Sequence, residues 1–106
     1  MDFRGKVALI TGSSRGIGAS IAKAFANEGA AIAINYVKNE SAALDTVENC
    51  EKVGGIASSF KADVTNTAEA KLLVESVQSE FGKIDILVNN AFRSYDFDPE
   101  QRKMFW

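Results

Sequence analysis

The chain has 106 residues, 46% apolar and 25% charged, with 12 basic and 14 acidic side chains and a net charge of −2. That length holds one domain, the composition is that of an ordinary globular protein, and so small a charge exerts no pull towards nucleic acid or an anionic membrane. The absence of histidine removes imidazole general bases, Ser-His-Asp hydrolysis and histidine-ligated metals from the chemistry of this chain, and a lone Cys50 closes no internal disulfide.

In chain order, Val7-Ala8-Leu9-Ile10 is apolar throughout, which predicts a strand covered on both faces. From Gly16 the period turns helical, with Ile17, Ile21 and Phe25 beside Ala22 and Ala26 as the inward stripe and Gly29 as the stop. Ala31 to Tyr36 reads as a second strand. Ser41 to Val53 reads as a second helix with Leu44, Val47 and Val53 inward, ended by Gly54-Gly55. Cys50 falls in it as a plain structural or surface thiol. Ile56 to Lys61 is a weaker third strand. Asn66, with Glu69 three residues on, predicts a capping box opening a third helix. Its stripe is Ala70, Leu73, Val74, Val77 and Phe81, and Gly82 closes it. Ile84 to Val88 is a fourth strand, and Asp98-Pro99-Glu100-Gln101 reads as the entry to a fourth helix.

Strands alternating with helices, joined by connections long enough for crossovers, predict an α/β fold with a parallel sheet covered on both faces. No apolar run is long enough to span a bilayer. Met1 to Lys6 lead into no signal-type segment, so the expected location is cytoplasmic. Met104-Phe105-Trp106 ends the chain on three large apolar groups with nothing after them to give cover. Burying such a side chain is worth about 1.5–3 kcal/mol, so residues 1–106 are expected to be a partial domain, truncated at the start of the helix after strand 4.

The chemistry-bearing segment is Thr11-Gly12-Ser13-Ser14-Arg15-Gly16-Ile17-Gly18, between the first strand and the first helix. A diphosphate needs several backbone N–H donors with no side chain in the way, and a helix N-terminus supplies them with a favourable dipole. Gly12 suits a sharp turn, Gly16 a close backbone approach to the ligand, and Gly18 close packing of helix on strand. Ser13 and Ser14 add hydroxyl donors and Arg15 a positive charge. The spacing is neither GxGxxG nor a P-loop, since no Gly-Lys-Ser/Thr follows.

These residues resemble the short-chain dehydrogenase/reductase family, whose turn is Thr-Gly-x-x-x-Gly-x-Gly, and the likeness extends to Asp63-Val64 and to Asn89-Asn90-Ala91. Within the family, Thr-Gly-Ser-Ser-Arg-Gly-Ile-Gly most resembles 3-oxoacyl-acyl-carrier-protein reductases, enzymes of fatty acid biosynthesis. The resemblance implies the N-terminal half of a Rossmann-type doubly wound sheet, strand order 3-2-1-4. It implies that Gly12, Ser13, Ser14, Arg15, Ile17 and Gly18 surround the pyrophosphate and adenosine ribose of a dinucleotide. Asp63 and Val64 would then meet the adenine, and Asn90 and Ala91 the nicotinamide-side ribose.

An NAD site usually carries an acid at the end of the second strand, which binds the ribose 2′-hydroxyl. Asn35 is read as that position, with Tyr36 and Lys38 following, and a neutral Asn35 with Arg15 points to NADP(H). Phe92 stands where the family has glycine after Asn-Asn-Ala. The resemblance implies an NADP-dependent reductase of a small-molecule or acyl-carrier-bound carbonyl, a homo-oligomer without nucleic-acid or membrane partners. Its catalytic serine and Tyr-x-x-x-Lys pair are missing here, because Tyr36 is followed four residues later by Glu40 and Tyr95 by Pro99. No catalytic residue is therefore assigned, and the chain alone is expected to be inactive. The competing reading is a non-catalytic dinucleotide-binding or interaction module. A methyltransferase is disfavoured for want of the ribose-binding acid.

Overall fold

The computed structural model describes residues 2–91. Its elements are β1 (Val7–Ile10), α1 (Gly16–Asn27), β2 (Ala31–Tyr36), α2 (Glu40–Lys52), β3 (Ile56–Lys61), α3 (Thr67–Phe81) and β4 (Ile86–Val88). The strands form one parallel sheet in the order β3-β2-β1-β4. The expected fourth helix, Phe92 and the apolar terminus lie outside the described residues.

Alternation along the central strands divides the core in two. Ala8 and Ile10 of β1 and Ile32, Ile34 and Tyr36 of β2 point to one face, where Ala22 and Ala26 of α1 and Ala43 and Cys50 of α2 meet them. Val7, Leu9 and Ala33 point to the other, against Leu73 and Val77 of α3. A strand sandwiched in this way has no polar side, which is why β1 and most of β2 read as continuous apolar runs.

Local signals place most element ends. Asn39 caps α2, its Oδ1 accepting from Ala42 N–H (2.9 Å), so that helix starts one residue before the expected Ser41. Gly82, at φ 85°, ends α3 in the left-handed conformation. The capping box is only half realised. Asn66 Oδ1 accepts from Glu69 N–H (3.0 Å), but the Glu69 carboxylate reaches past Asn66 to accept from Asp63 N–H (3.0 Å).

The expected helix stripes shift in three places. In α2 the inward residues are Ala43, Thr46 and Cys50, while Leu44 is exposed. In α3, Leu73 and Val77 are buried and Val74 faces outward. Ile17 opens α1 exposed, at the rim of a cleft. Counting apolar residues favours large side chains, but the sheet-facing rows are chosen by how closely the backbones approach, and small residues win there. β4 begins at Ile86 rather than Ile84, since Asp85 turns its carboxylate back to accept from Val7 N–H (2.8 Å). Among the described residues no helix is long and apolar enough to cross a membrane.

Candidate functional site

At the C-terminal end of β1 the chain makes the turn that the whole site is built on. Gly12 and Gly16 adopt φ of 60° and 64°, a region that residues with a Cβ seldom enter. Gly18 has no room for a side chain: an added Cβ would lie 2.5 Å from Gly12 O and 2.8 Å from Ser13 Cα. It therefore lets the first turn of α1 seat directly on the preceding loop. Around Gly16 the same test finds open space, consistent with a backbone that a ligand can approach.

Four side chains fix the turn from below and beside it. Asn35, fully buried at the end of β2, accepts from Gly12 N–H through Oδ1 (3.0 Å) and donates from Nδ2 to Ala62 O (3.0 Å) and Phe60 O (3.4 Å). Ser13 N–H donates to Asn35 O (3.0 Å), while the Ser13 hydroxyl donates to Ile10 O (2.6 Å) and accepts from Asn35 N–H (3.0 Å). Thr11 Oγ1 accepts from the amides of Asn90 (2.9 Å) and Ala91 (3.0 Å), tying the loop after β4 to the turn. Asn90 Nδ2 donates to Gly12 O (3.1 Å). Every buried side-chain polar atom among the described residues has a partner, as a rigid polar network requires.

One run of donors is left over. The amides of Gly12 and Ser13 are used by Asn35, and Ala19 N–H donates to Arg15 O (3.3 Å). Between them, the five amides of Ser14, Arg15, Gly16, Ile17 and Gly18 donate to no acceptor among the described residues. Arg15, the N-cap of α1, offers no side-chain cap of its own. Unpaired amides at a helix start, with the positive end of the dipole behind them, form a receptor for an anion.

Four of these residues, Ser14 to Ile17, line a cleft of about 720 Å³. Its walls are the turn itself, the segment Tyr36 to Asn39 after β2, Asp63 to Thr65 after β3, and Asn90-Ala91 after β4. All four are strand C-terminal ends, and the cleft opens where β1 is flanked by β2 on one side and β4 on the other. In open α/β sheets that is where ligands bind. Arg15 and Lys38 bring two cations to it. Asp63, half-buried, accepts from the Thr65 hydroxyl (2.6 Å) and from Thr65 N–H (3.0 Å) through Oδ1. No cluster of three or more metal-ligating side chains occurs among the described residues.

The residues singled out from sequence fall into two groups. Gly12, Ser14, Arg15, Ile17, Asp63, Val64, Asn90 and Ala91 line the cleft. Ser13, Gly18 and Asn35 are buried beneath it. For Ser13 the expected hydroxyl donor is consumed by Ile10 O, so it contributes inside the fold. For Asn35 the correction is larger: its amide holds the turn, and the residue that β2 presents to the cleft is Tyr36. Strand alternation carried that signal, since Tyr36 shares a face with Ile32 and Ile34, and Asn35 does not. Thr46, which donates from α2 to Ser14 O (2.7 Å), left no readable signal because its partner is thirty-two residues away in sequence.

The model of a family described as short chain dehydrogenase matches residues 6–102. An uncharacterized oxidoreductase of Methylorubrum extorquens is 47% identical over 89 residues, covering 84% of this chain and 36% of that protein. The short-chain dehydrogenase/reductase homolog YusS of Bacillus subtilis is 38% identical over 91 residues, covering 86% of this chain and 84% of the relative. Among solved structures, a short chain dehydrogenase from Burkholderia cenocepacia in complex with NADP superposes with a TM-score of 0.82 at 41% identity, over 94% of this chain and 43% of that one. The NADH-dependent reductase A1-R′ complexed with NAD gives 0.81 at 33% identity, over 92% and 43%. Except for the Bacillus homolog, the chain thus spans under half the length of these proteins.

Proposed function

Because this chain belongs to the short-chain dehydrogenase family, we propose that its cleft binds NADP(H) and that the whole protein is an NADP-dependent reductase of carbonyl compounds. The observation that carries the reading is the run of five unpaired amides from Ser14 to Gly18 at the start of α1. The donor set fits a dinucleotide: amides for a diphosphate, Arg15 and Lys38 for a further phosphate, and Asp63 with Val64 beside a base. The nicotinamide supplies hydride transfer when bound. This chain's own residues bind and orient it, with Asn90 and Ala91 held at the turn by Thr11.

The choice of NADP(H) over NAD(H) rests on charge. The cleft has no acid at the end of β2 to repel a 2′-phosphate, since Tyr36 stands there with Lys38 two residues on. Solved relatives are found with each dinucleotide, so the site's own side chains carry the argument. The substrate proposed is a small-molecule or acyl-carrier-bound carbonyl, of the 3-oxoacyl kind, acted on by a cytoplasmic homo-oligomer. The catalytic serine and Tyr-x-x-x-Lys implied by the family resemblance have no counterpart in these 106 residues, so we expect this chain to bind cofactor without turning substrate over.

The test is calorimetry of the chain with NADP+ and NAD+. NADP+ is expected to bind more tightly. Arg15→Ala is expected to weaken NADP+ by about 1.5–3 kcal/mol, the worth of a charge-assisted hydrogen bond, and to leave NAD+ nearly unchanged. Absence of binding by both nucleotides refutes the proposal, and an equal loss for both refutes the role of Arg15. A second reading, a non-catalytic dinucleotide-binding module, is favoured by the Bacillus homolog, most of whose length this chain matches. Measurable NADPH oxidation by the 106-residue chain with a carbonyl substrate would exclude that reading, and it would equally overturn the inactivity expected of this chain.

A further inference from the structure

Of the five amides, Arg15 N–H sits in the peptide whose carbonyl is Ser14 O. It belongs to the turn, precedes the helix, and has no partner along its own strand or helix. A peptide flip here would exchange an N–H for a carbonyl oxygen at the rim of an anion site. Among the described residues one group holds that carbonyl: the Thr46 hydroxyl donates to Ser14 O at 2.7 Å. Thr46 lies in α2, thirty-two residues away, and is buried. Its hydroxyl is the polar member of a stripe otherwise made of Ala43 and Cys50.

We propose that Thr46 is a positioning residue for the nucleotide, resting on the reading of the cleft given above: it anchors the Ser14 carbonyl against α2 and so aims the Arg15 amide and side chain. Across a trans peptide the carbonyl and the following N–H point in opposite directions. Holding the carbonyl to α2 therefore turns the Arg15 N–H away from α2 and keeps the negative pole of that peptide off the anion. It also fixes where the Arg15 side chain starts, because the N-cap backbone at φ −157° and ψ 175° follows directly from that plane. Thr46 itself does not line the cleft. A buried threonine with one hydrogen bond could equally serve only to dock α2 on the turn, so the test separates the two roles.

The chain is compared with Thr46→Val, which keeps shape and removes the hydroxyl, and with Thr46→Ser, which keeps the hydroxyl. Val77→Ala, in the core on the opposite face of the sheet, serves as a variant that lowers stability without touching the turn. Dissociation constants for NADP+ are measured by calorimetry at a temperature where all are folded, beside their thermal midpoints. Thr46→Val is expected to bind about threefold to tenfold more weakly, the scale of one lost hydrogen bond. Thr46→Ser should recover most of the affinity, and Val77→Ala should bind as the unaltered chain does. Should Thr46→Val not fold, Thr46→Ala takes its place with the same expectation. Unchanged affinity on removing the hydroxyl, failure of serine to restore it, or an equal loss in Val77→Ala overturns the proposal. If the unaltered chain binds no NADP+, the reading of the cleft falls first and this inference with it.

Discussion

Replacing Asn35 by aspartate separates two accounts of the end of β2. If Asn35 faced the ribose, a carboxylate there would turn the preference towards NAD(H) and leave the fold alone. The structure places the side chain under the turn, where Oδ1 accepts from Gly12 N–H and Nδ2 donates to two carbonyls at 3.0 and 3.4 Å. Asn35→Asp keeps the first bond. It puts a second oxygen against Ala62 O and Phe60 O, takes from Ala62 O the donor that Asn35 supplied, and buries a charge. An acceptor that loses its donor costs about 1–3 kcal/mol, and an uncompensated buried charge about 3–5 kcal/mol. These overlap, so the expected loss is about 3–5 kcal/mol of a total stability of about 5–15 kcal/mol. Urea unfolding at neutral pH reads it directly: with a slope of about 2 kcal/mol per molar, the midpoint falls by roughly 2 M. The deficit should narrow in acid, where a protonated carboxyl can donate to Ala62 O. An Asn35→Asp chain as stable as the original, with its preference moved to NAD(H), would refute the reasoning. Tyr36→Asp, at the position that lines the cleft, is the change expected to move that preference.

Other perturbations follow from the same geometry. Gly18→Ala drives a methyl into Gly12 O and Ser13 Cα and should cost about 1–3 kcal/mol through overpacking, with a loss of nucleotide affinity. Gly16→Ala meets no protein atom and should cost stability only the left-handed backbone strain of about 1–2 kcal/mol, but its methyl stands where the ligand approaches, so it too should weaken nucleotide binding; unchanged affinity in Gly16→Ala would contradict the assigned role. Burial pushes the Cys50 thiol up to about 11 from an ordinary 9.0, with Glu51 adding to the shift. The folded chain thus keeps a proton that the unfolded chain releases, so stability should hold below about pH 9 and fall as pH rises from 9 to about 11. Thermal midpoints across that range should lose this slope in Cys50→Ala, and a thiol reagent should react with Cys50 only after unfolding. The bond from Val7 N–H, and then Lys83 at 3.1 Å, hold the Asp85 carboxyl below the usual carboxylate range. Its contribution is present at neutral pH and lost as pH falls through that lowered value. Asp85→Asn should therefore lower the thermal midpoint at neutral pH, by an amount that disappears in strong acid.

The sequence by itself determined the order of elements, the parallel pairing of covered strands and the position of the glycine turn. Those properties depend on local period and backbone freedom: four apolar residues in Val7–Ile10, glycines at 12, 16 and 18, and a polar cap at Asn66. The sheet order came with the family resemblance, and the structure has the same order. What only the tertiary structure decided is where polar side chains spend their hydrogen bonds. Asn35 and Ser13 turn inward to each other across 22 residues, Thr46 reaches Ser14, and Glu69 bypasses its helix cap for Asp63. A short polar side chain satisfies whichever buried group its backbone brings within 3 Å, and that neighbour is chosen by the packing of the sheet and helices, which no spacing along one segment encodes.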